Sequence, residues 1–203
     1  MKTESLGGFD RFRVPAALLV IAIHTGPLLS LNGEANYLLT DILARIAVPF
    51  FFSVSGWFLV PRLLREGRAA LIPFVKKLLL LYGAAALLYL PLNLYNHTLE
   101  ESGFALLRDV FFNGTFYHLW YFPALVLGAC LVYGLLRILG PRWAWLPALL
   151  LYAAGLLGDS YFGLTAALPP LRAGYEALFL LFDYTRNGLF FPPVFLLLGG
   201  WLA

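Results

Sequence analysis

Residues 117–139 read YHLWYFPALVLGACLVYGLLRIL, and between Leu119 and Leu136 no charged side chain appears. At 1.5 Å per residue, about 20 apolar residues in a helix cross the ~30 Å hydrocarbon core of a bilayer. Trp120 and Tyr121 at the start of the stretch suit an aromatic belt at the membrane surface. On either side, similar apolar segments occupy roughly 14–31, 41–60, 72–95, 143–159 and 187–203. One such segment is compatible with a signal peptide; six are not. The spacing therefore predicts an all-α, polytopic transmembrane helix bundle with about six spans. A seventh apolar region, 163–182, contains Pro169, Pro170, Arg172 and Glu176 and is expected to be interfacial or re-entrant.

Composition agrees. Hydrophobic residues make up 61% of the 203 and charged residues 12%, about half the ~25% usual in soluble domains. The single cysteine, Cys130, lies within an apolar run, so no disulfide framework is present. The net charge of +3 reflects basic residues flanking spans and does not point to nucleic acid.

Charge also suggests an orientation. Lys2, Arg11 and Arg13, then Arg62, Arg65, Arg68, Lys76 and Lys77 in a loop over 61–77, then Arg137 and Arg142 fall on one side if the segments alternate. Glu34, Asp41, Glu100, Glu101, Asp109, Asp159 and Asp183 fall on the other. The positive-inside rule makes the first side, and the N-terminus, cytoplasmic. The apolar run at Ala203 has no polar flank, and residues 1–203 are expected to be the N-terminal portion of one larger transmembrane domain.

Ionisable groups within spans are costly and are functional candidates for that reason. Arg13 and His24 are eleven residues apart, which on a helix leaves them ~20° apart on one face and ~16 Å apart along the axis. Ala17, Val20 and Leu28 share the stripe, with His24 expected about half-way across. Asp10 lies one turn before Arg13, and Pro15 suits a first helical turn. The plainer readings are an interhelical hydrogen bond for His24 and a snorkelling anchor for Arg13. Arg45, Pro49, Ser53, Ser55 and Gly56 mark the second span as a kinked helix able to approach a neighbour closely. His118 and Arg186 stand where spans begin at the outer surface. The basic cluster is a topology signal, and it also suits a polyanionic cytosolic ligand.

Together these residues resemble the acyltransferase-3 family of bacterial membrane proteins. The matches are Phe9-Asp10-x-x-Arg13 followed by His24, Arg45-x-x-Val48-Pro49-x-Phe51-Phe52-x-x-Ser55-Gly56, and His118-Leu119-Trp120-Tyr121. Lys77-x-x-x-Leu81-Tyr82 and Thr185-Arg186-Asn187-Gly188-Leu189-Phe190-Phe191 resemble the branch that includes the membrane domains of vancomycin-resistance serine racemases. The resemblance covers essentially the whole chain and implies about ten spans in a complete member. It further implies a bacterial inner-membrane enzyme that moves an acyl group, often acetyl, from cytosolic acyl-CoA to a hydroxyl of an extracytoplasmic carbohydrate or lipid-linked acceptor, with no resident cofactor and no metal. His24 is then the expected base, since a hydroxyl must lose its proton as it attacks a thioester. Arg13 would hold the donor or orient His24, assisted by Asp10. Arg62, Arg65, Arg68, Lys76 and Lys77 would bind the nucleotide end of coenzyme A. Arg45, Ser55 and His118 would shape the site or stabilise an oxyanion. A second reading is a transporter for a serine-like amino acid, whose carboxylate would meet Arg45 or Arg186. A third is a membrane scaffold.

Overall fold

The computed structural model describes residues 7–96, 102–116 and 118–203. Lys2, Glu100 and Glu101, which the orientation argument counts, lie outside the described residues. All regular structure among the described residues is helical. Helix α1 is Gly7–Thr25. A short α2, Gly33–Tyr37, runs through a π-helical turn Leu38–Ile42 and a 3-10 turn Leu43–Ile46 into α3, Ala47–Glu66. Helix α4 is Arg68–Tyr95, α5 is Gly103–Arg108 followed by a π-helical turn Asp109–Asn113, α6 is Tyr121–Trp143 and α7 is Trp145–Leu157. The short α8, Phe162–Ala166, and α9, Pro169–Leu178, lead to α10, Pro192–Leu202.

Three helical stretches are long and apolar enough to cross a membrane: Gly33–Glu66, Arg68–Tyr95 and Tyr121–Trp143. Helices α7 and α10 are apolar but shorter, and α1 carries Asp10, Arg11 and Arg13 near its start. The chain is thus a helical membrane bundle. Its outer surface is leucine: Leu79, Leu80, Leu87 and Leu88 on α4 are all exposed, as a lipid-facing helix requires. The expected interfacial region becomes α8 and α9. The ten residues of α9 reach only ~15 Å, about half the ~30 Å core.

Two boundaries differ from the sequence reading. First, α1 ends at Thr25 rather than near residue 31, so His24 sits in its last turn and not mid-helix. Gly26, at φ +53°, closes the helix, and Pro27 follows it, the usual chemistry of a helix stop. Second, 61–77 is not a loop. The helices meet at Gly67 alone, where φ is +59° and the backbone takes a turn that other residues resist.

Helices α3 and α10 make the most extensive contact in the bundle, and small residues allow it. A Cβ placed on Gly56 would collide with the Leu196 carbonyl, one on Gly199 with the Ser53 carbonyl, and one on Gly200 with the Val60 side chain. Lipid tails are as apolar as leucine, so helices in a membrane associate by close van der Waals packing, which glycine permits. Phe52 and Leu196 are fully buried in this seam. Against the other side of α3, Phe9 packs edge-on to Trp57 and Phe12 edge-on to Phe50, seating α1.

Candidate functional site

Two cavities meet at His24. The larger, ≈ 740 Å³, is walled by α1, the turns before α3, the end of α7 and the segment 184–191. Its charged groups are Asp41, Arg45, Asp159 and Arg186. The smaller, ≈ 380 Å³, lies between α1, α3 and the start of α6 and is almost wholly apolar apart from His24 and His118. His24, Val20, Val48 and Trp120 line both, so the imidazole stands at the partition.

The helical stripe read from the sequence is what builds this wall. Ala17, Val20 and His24 of α1 all face the smaller cavity, and Ile21 joins them. The His118 ring lies 5.9 Å from the His24 ring. Tyr89 of α4 meets His118 edge-on at 4.7 Å and stacks on Phe116 at 4.8 Å. His118 is therefore held in an aromatic frame, and two imidazoles share one space.

Arg45 is placed by local helical geometry. Its Nη2 lies 3.0 Å from Asp41 Oδ1, four residues earlier, and Thr40 Oγ1 donates to Asp41 Oδ2 at 2.9 Å. The π-helical turn widens the backbone here, a device common at functional sites. On the opposite wall, Thr185 Oγ1 donates to the Gly155 carbonyl at 2.6 Å, and both residues are buried. Asn187 Oδ1 accepts from the Leu189 N–H at 2.9 Å, and its amide donates to the Tyr184 carbonyl at 3.2 Å. These bonds fix the irregular, turn-rich segment that carries Arg186. Arg186 Nε is 2.9 Å from Asp159 Oδ2, a charge pairing rather than a directed hydrogen bond, since the buried Nε–H has no aligned acceptor. The guanidinium also lies 5.3 Å from the Tyr184 ring centre. Burial, partly offset by Arg186, pushes the Tyr184 phenol up to about 12, so that hydroxyl is neutral and available as a donor.

The remaining candidates sit elsewhere. Arg13 Nη1 pairs with Asp10 Oδ1 at 2.9 Å on the exposed side of α1, and neither residue lines either of these two cavities. Ser55 Oγ donates to the Phe51 carbonyl at 2.9 Å and faces the Tyr121 phenol. Arg62 pairs with Glu66 at 3.2 Å, and Arg62, Arg65 and Arg68 flank the Gly67 turn on exposed surface, with Lys76 and Lys77 exposed two turns into α4. Twenty residues of helical chain separate Arg45 from Arg65, on the order of 30 Å. The cluster therefore lies at the far end of α3 from the larger cavity. Among the described residues, no group of three or more His, Cys, Asp or Glu is placed to hold a metal.

Sequence reasoning did not single out Asp41, Asp159, Tyr184 or Trp120 as members of one cavity. The Asp41–Arg45 pair was visible as an i, i+4 spacing. Asp159–Arg186 joins residues 27 apart in the chain and carries no local signal.

An acyltransferase domain family model matches residues 6–203. An amino-acid racemase of Enterococcus faecalis is 45% identical over all of this chain, which covers 29% of that protein. A second amino-acid racemase of Enterococcus faecalis is 43% identical over 95% of the chain. A serine/alanine racemase of Enterococcus gallinarum is 44% identical over 95% of the chain and 28% of its own length. The chain thus spans less than a third of the curated relatives it matches. No solved structure matches.

Proposed function

The chain belongs to the acyltransferase-3 family, and from that premise we propose that it builds part of a membrane enzyme that moves an acyl group, acetyl first of all, from cytosolic acyl-CoA to a hydroxyl of an extracytoplasmic glycan or lipid-linked acceptor. The observation that carries this reading is the position of His24 on the partition between a charged and an apolar cavity, 5.9 Å from the His118 ring. Two substrates that approach from different directions need one base at their meeting point.

In the proposed step, His24 takes the acceptor's hydroxyl proton as the oxygen attacks the thioester carbon. A C–O bond forms and the C–S bond breaks. The proton then passes to the departing thiolate, leaving an ester and coenzyme A. His118 stands near enough to share the proton or to donate to the developing oxyanion, as does Arg45 from the larger cavity. The exposed cations Arg62, Arg65, Arg68, Lys76 and Lys77 serve the nucleotide end of the donor. Arg13, held by Asp10 one turn away, guides the donor along α1, and Ser55 supports the wall through Tyr121. This assignment sets the N-terminus and the Gly67 turn in the cytoplasm and the larger cavity toward the outside of the inner membrane.

The test uses vesicles bearing the full-length protein and labelled acetyl-CoA. Label entering an envelope-extractable product with wild type, and lost with an inserted His24→Ala variant, supports the reading. Equal transfer by both overturns it.

A second reading is passage of a serine-like amino acid. It is favoured by two opposed carboxylate–guanidinium pairs in the larger cavity, Asp41–Arg45 and Asp159–Arg186, which complement a zwitterion, and by relatives named as racemases. His24-dependent uptake of labelled serine, with no label transferred from acetyl-CoA, would put this reading first.

A further inference from the structure

Helix α4 presents mostly leucine to its surroundings, and its buried residues are Ala70, Leu78, Tyr82 and Asn93. Asn93 is 2% exposed. A buried amide on a lipid-facing helix is costly unless it is paired and has work to do. Tyr82, Tyr89 and Asn93 lie at i, i+7 and i+11, which puts all three within ~40° on one face.

That face meets one short turn. Asn93 Nδ2 donates to the Thr115 carbonyl at 2.8 Å, and the Thr115 N–H donates to the Tyr82 hydroxyl at 3.1 Å. The two peptide groups that flank the Thr115 Cα are thus held by one helix, one through its carbonyl and the other through its N–H. Next in the chain, Phe116 stacks on Tyr89, and His118 meets Tyr89 edge-on. Just before, Gly114 takes φ +89°, and a Cβ there would collide with the Trp120 amide. Backbone thus packs closely at Gly114, and His118 lies beside His24.

We propose that Tyr82 and Asn93 are positioning residues for His118, acting through the Thr115 backbone; this rests on the acyl-transfer reading above. Each sets where the second imidazole stands.

The test measures labelled acetyl transfer by the full-length protein in vesicles, normalised to inserted protein. Asn93→Leu is expected to lower kcat by about 10–100-fold, the scale of an ångström's misplacement, while KM for acetyl-CoA stays within about twofold. Asn93→Gln, which keeps the donor, recovers most of the rate, and Tyr82→Phe, which removes one oxygen, gives a smaller loss of kcat. In a His118→Ala background the Asn93→Leu substitution adds no further loss, because both act at one point. Losses that multiply in that background, or an unchanged kcat in Asn93→Leu and Tyr82→Phe, overturn the proposal. If His118→Ala abolishes transfer, the kcat-against-KM split and the Asn93→Gln rescue decide. If Asn93→Leu fails to insert, Tyr82→Phe carries the comparison. A wild type that transfers no acetyl group from acetyl-CoA refutes the acyl-transfer reading itself, and the positioning role falls with it.

Discussion

Replacing Gly199 by alanine adds one methyl group at the tightest point of the α3–α10 seam. Its Cβ would fall on the Ser53 carbonyl oxygen, 2.7 Å from the carbonyl carbon and 2.8 Å from the Trp57 nitrogen. Heavy-atom contacts settle at about 3.5–4.0 Å, so α10 must withdraw by more than about 1 Å, and a gap of about 0.5–1 Å already forfeits a quarter to a half of each contact's attraction. Overfilling a packed interface costs about 1–3 kcal/mol. For a chain of this size each kcal/mol lowers the melting temperature by about 2–4 °C, so thermal unfolding of the detergent-solubilised full-length protein should fall by several degrees. The control is Gly83→Ala on α4, where a Cβ meets nothing within 4 Å. That variant should hold or gain stability, since alanine favours helix over glycine by about 1 kcal/mol. If Gly199→Ala melts with wild type while both variants insert equally, the close-packing argument is wrong.

Three further outcomes are expected. Thr185→Val removes the 2.6 Å bond to the buried Gly155 carbonyl, which keeps its 3.2 Å bond from the Gly158 N–H, at a cost of about 0.5–1.5 kcal/mol, whereas Thr185→Ser keeps the bond; thermal unfolding of the two variants distinguishes them. Arg45→Ala should lower acyl transfer by about 10–100-fold if the guanidinium steadies developing charge. Asp41→Asn, which weakens only a half-exposed, solvent-screened pairing, should change it little, as initial rates in vesicles would show. The Tyr184 phenol stands at about 12, and a raised value keeps an acid in its neutral form, so it stays neutral through neutral and mildly alkaline pH. Tyr184→Phe should therefore leave the pH profile of transfer unaltered in shape through neutral and mildly alkaline pH; an alkaline limb that vanishes in the variant would contradict this.

The bundle was legible because the bilayer imposes a length. A run such as 119–136 without a charge has one economical conformation in hydrocarbon, and its helix follows from the sequence alone. The stripe Ala17–Val20–His24 was legible for the same reason, since helical periodicity is a local rule. Ends were less legible. Gly26 and Pro27 stop α1 nearly two turns earlier than hydropathy suggested, and Gly67 turns the chain in one residue where five cations had read as a loop.

By itself, then, the sequence determined what any short window determines: that the chain is a membrane helix bundle, which faces its helices present, and that His24, Arg45 and His118 are candidates. It left open who meets whom. Arg186 with Asp159, Thr115 with Tyr82 and Asn93, and the ring of His118 beside that of His24 are pairings across 22 to 94 residues of chain. Only tertiary packing decided them, because a side chain's partners across helices depend on crossing geometry and on which glycines let backbones touch, and periodicity along one helix carries no information about either.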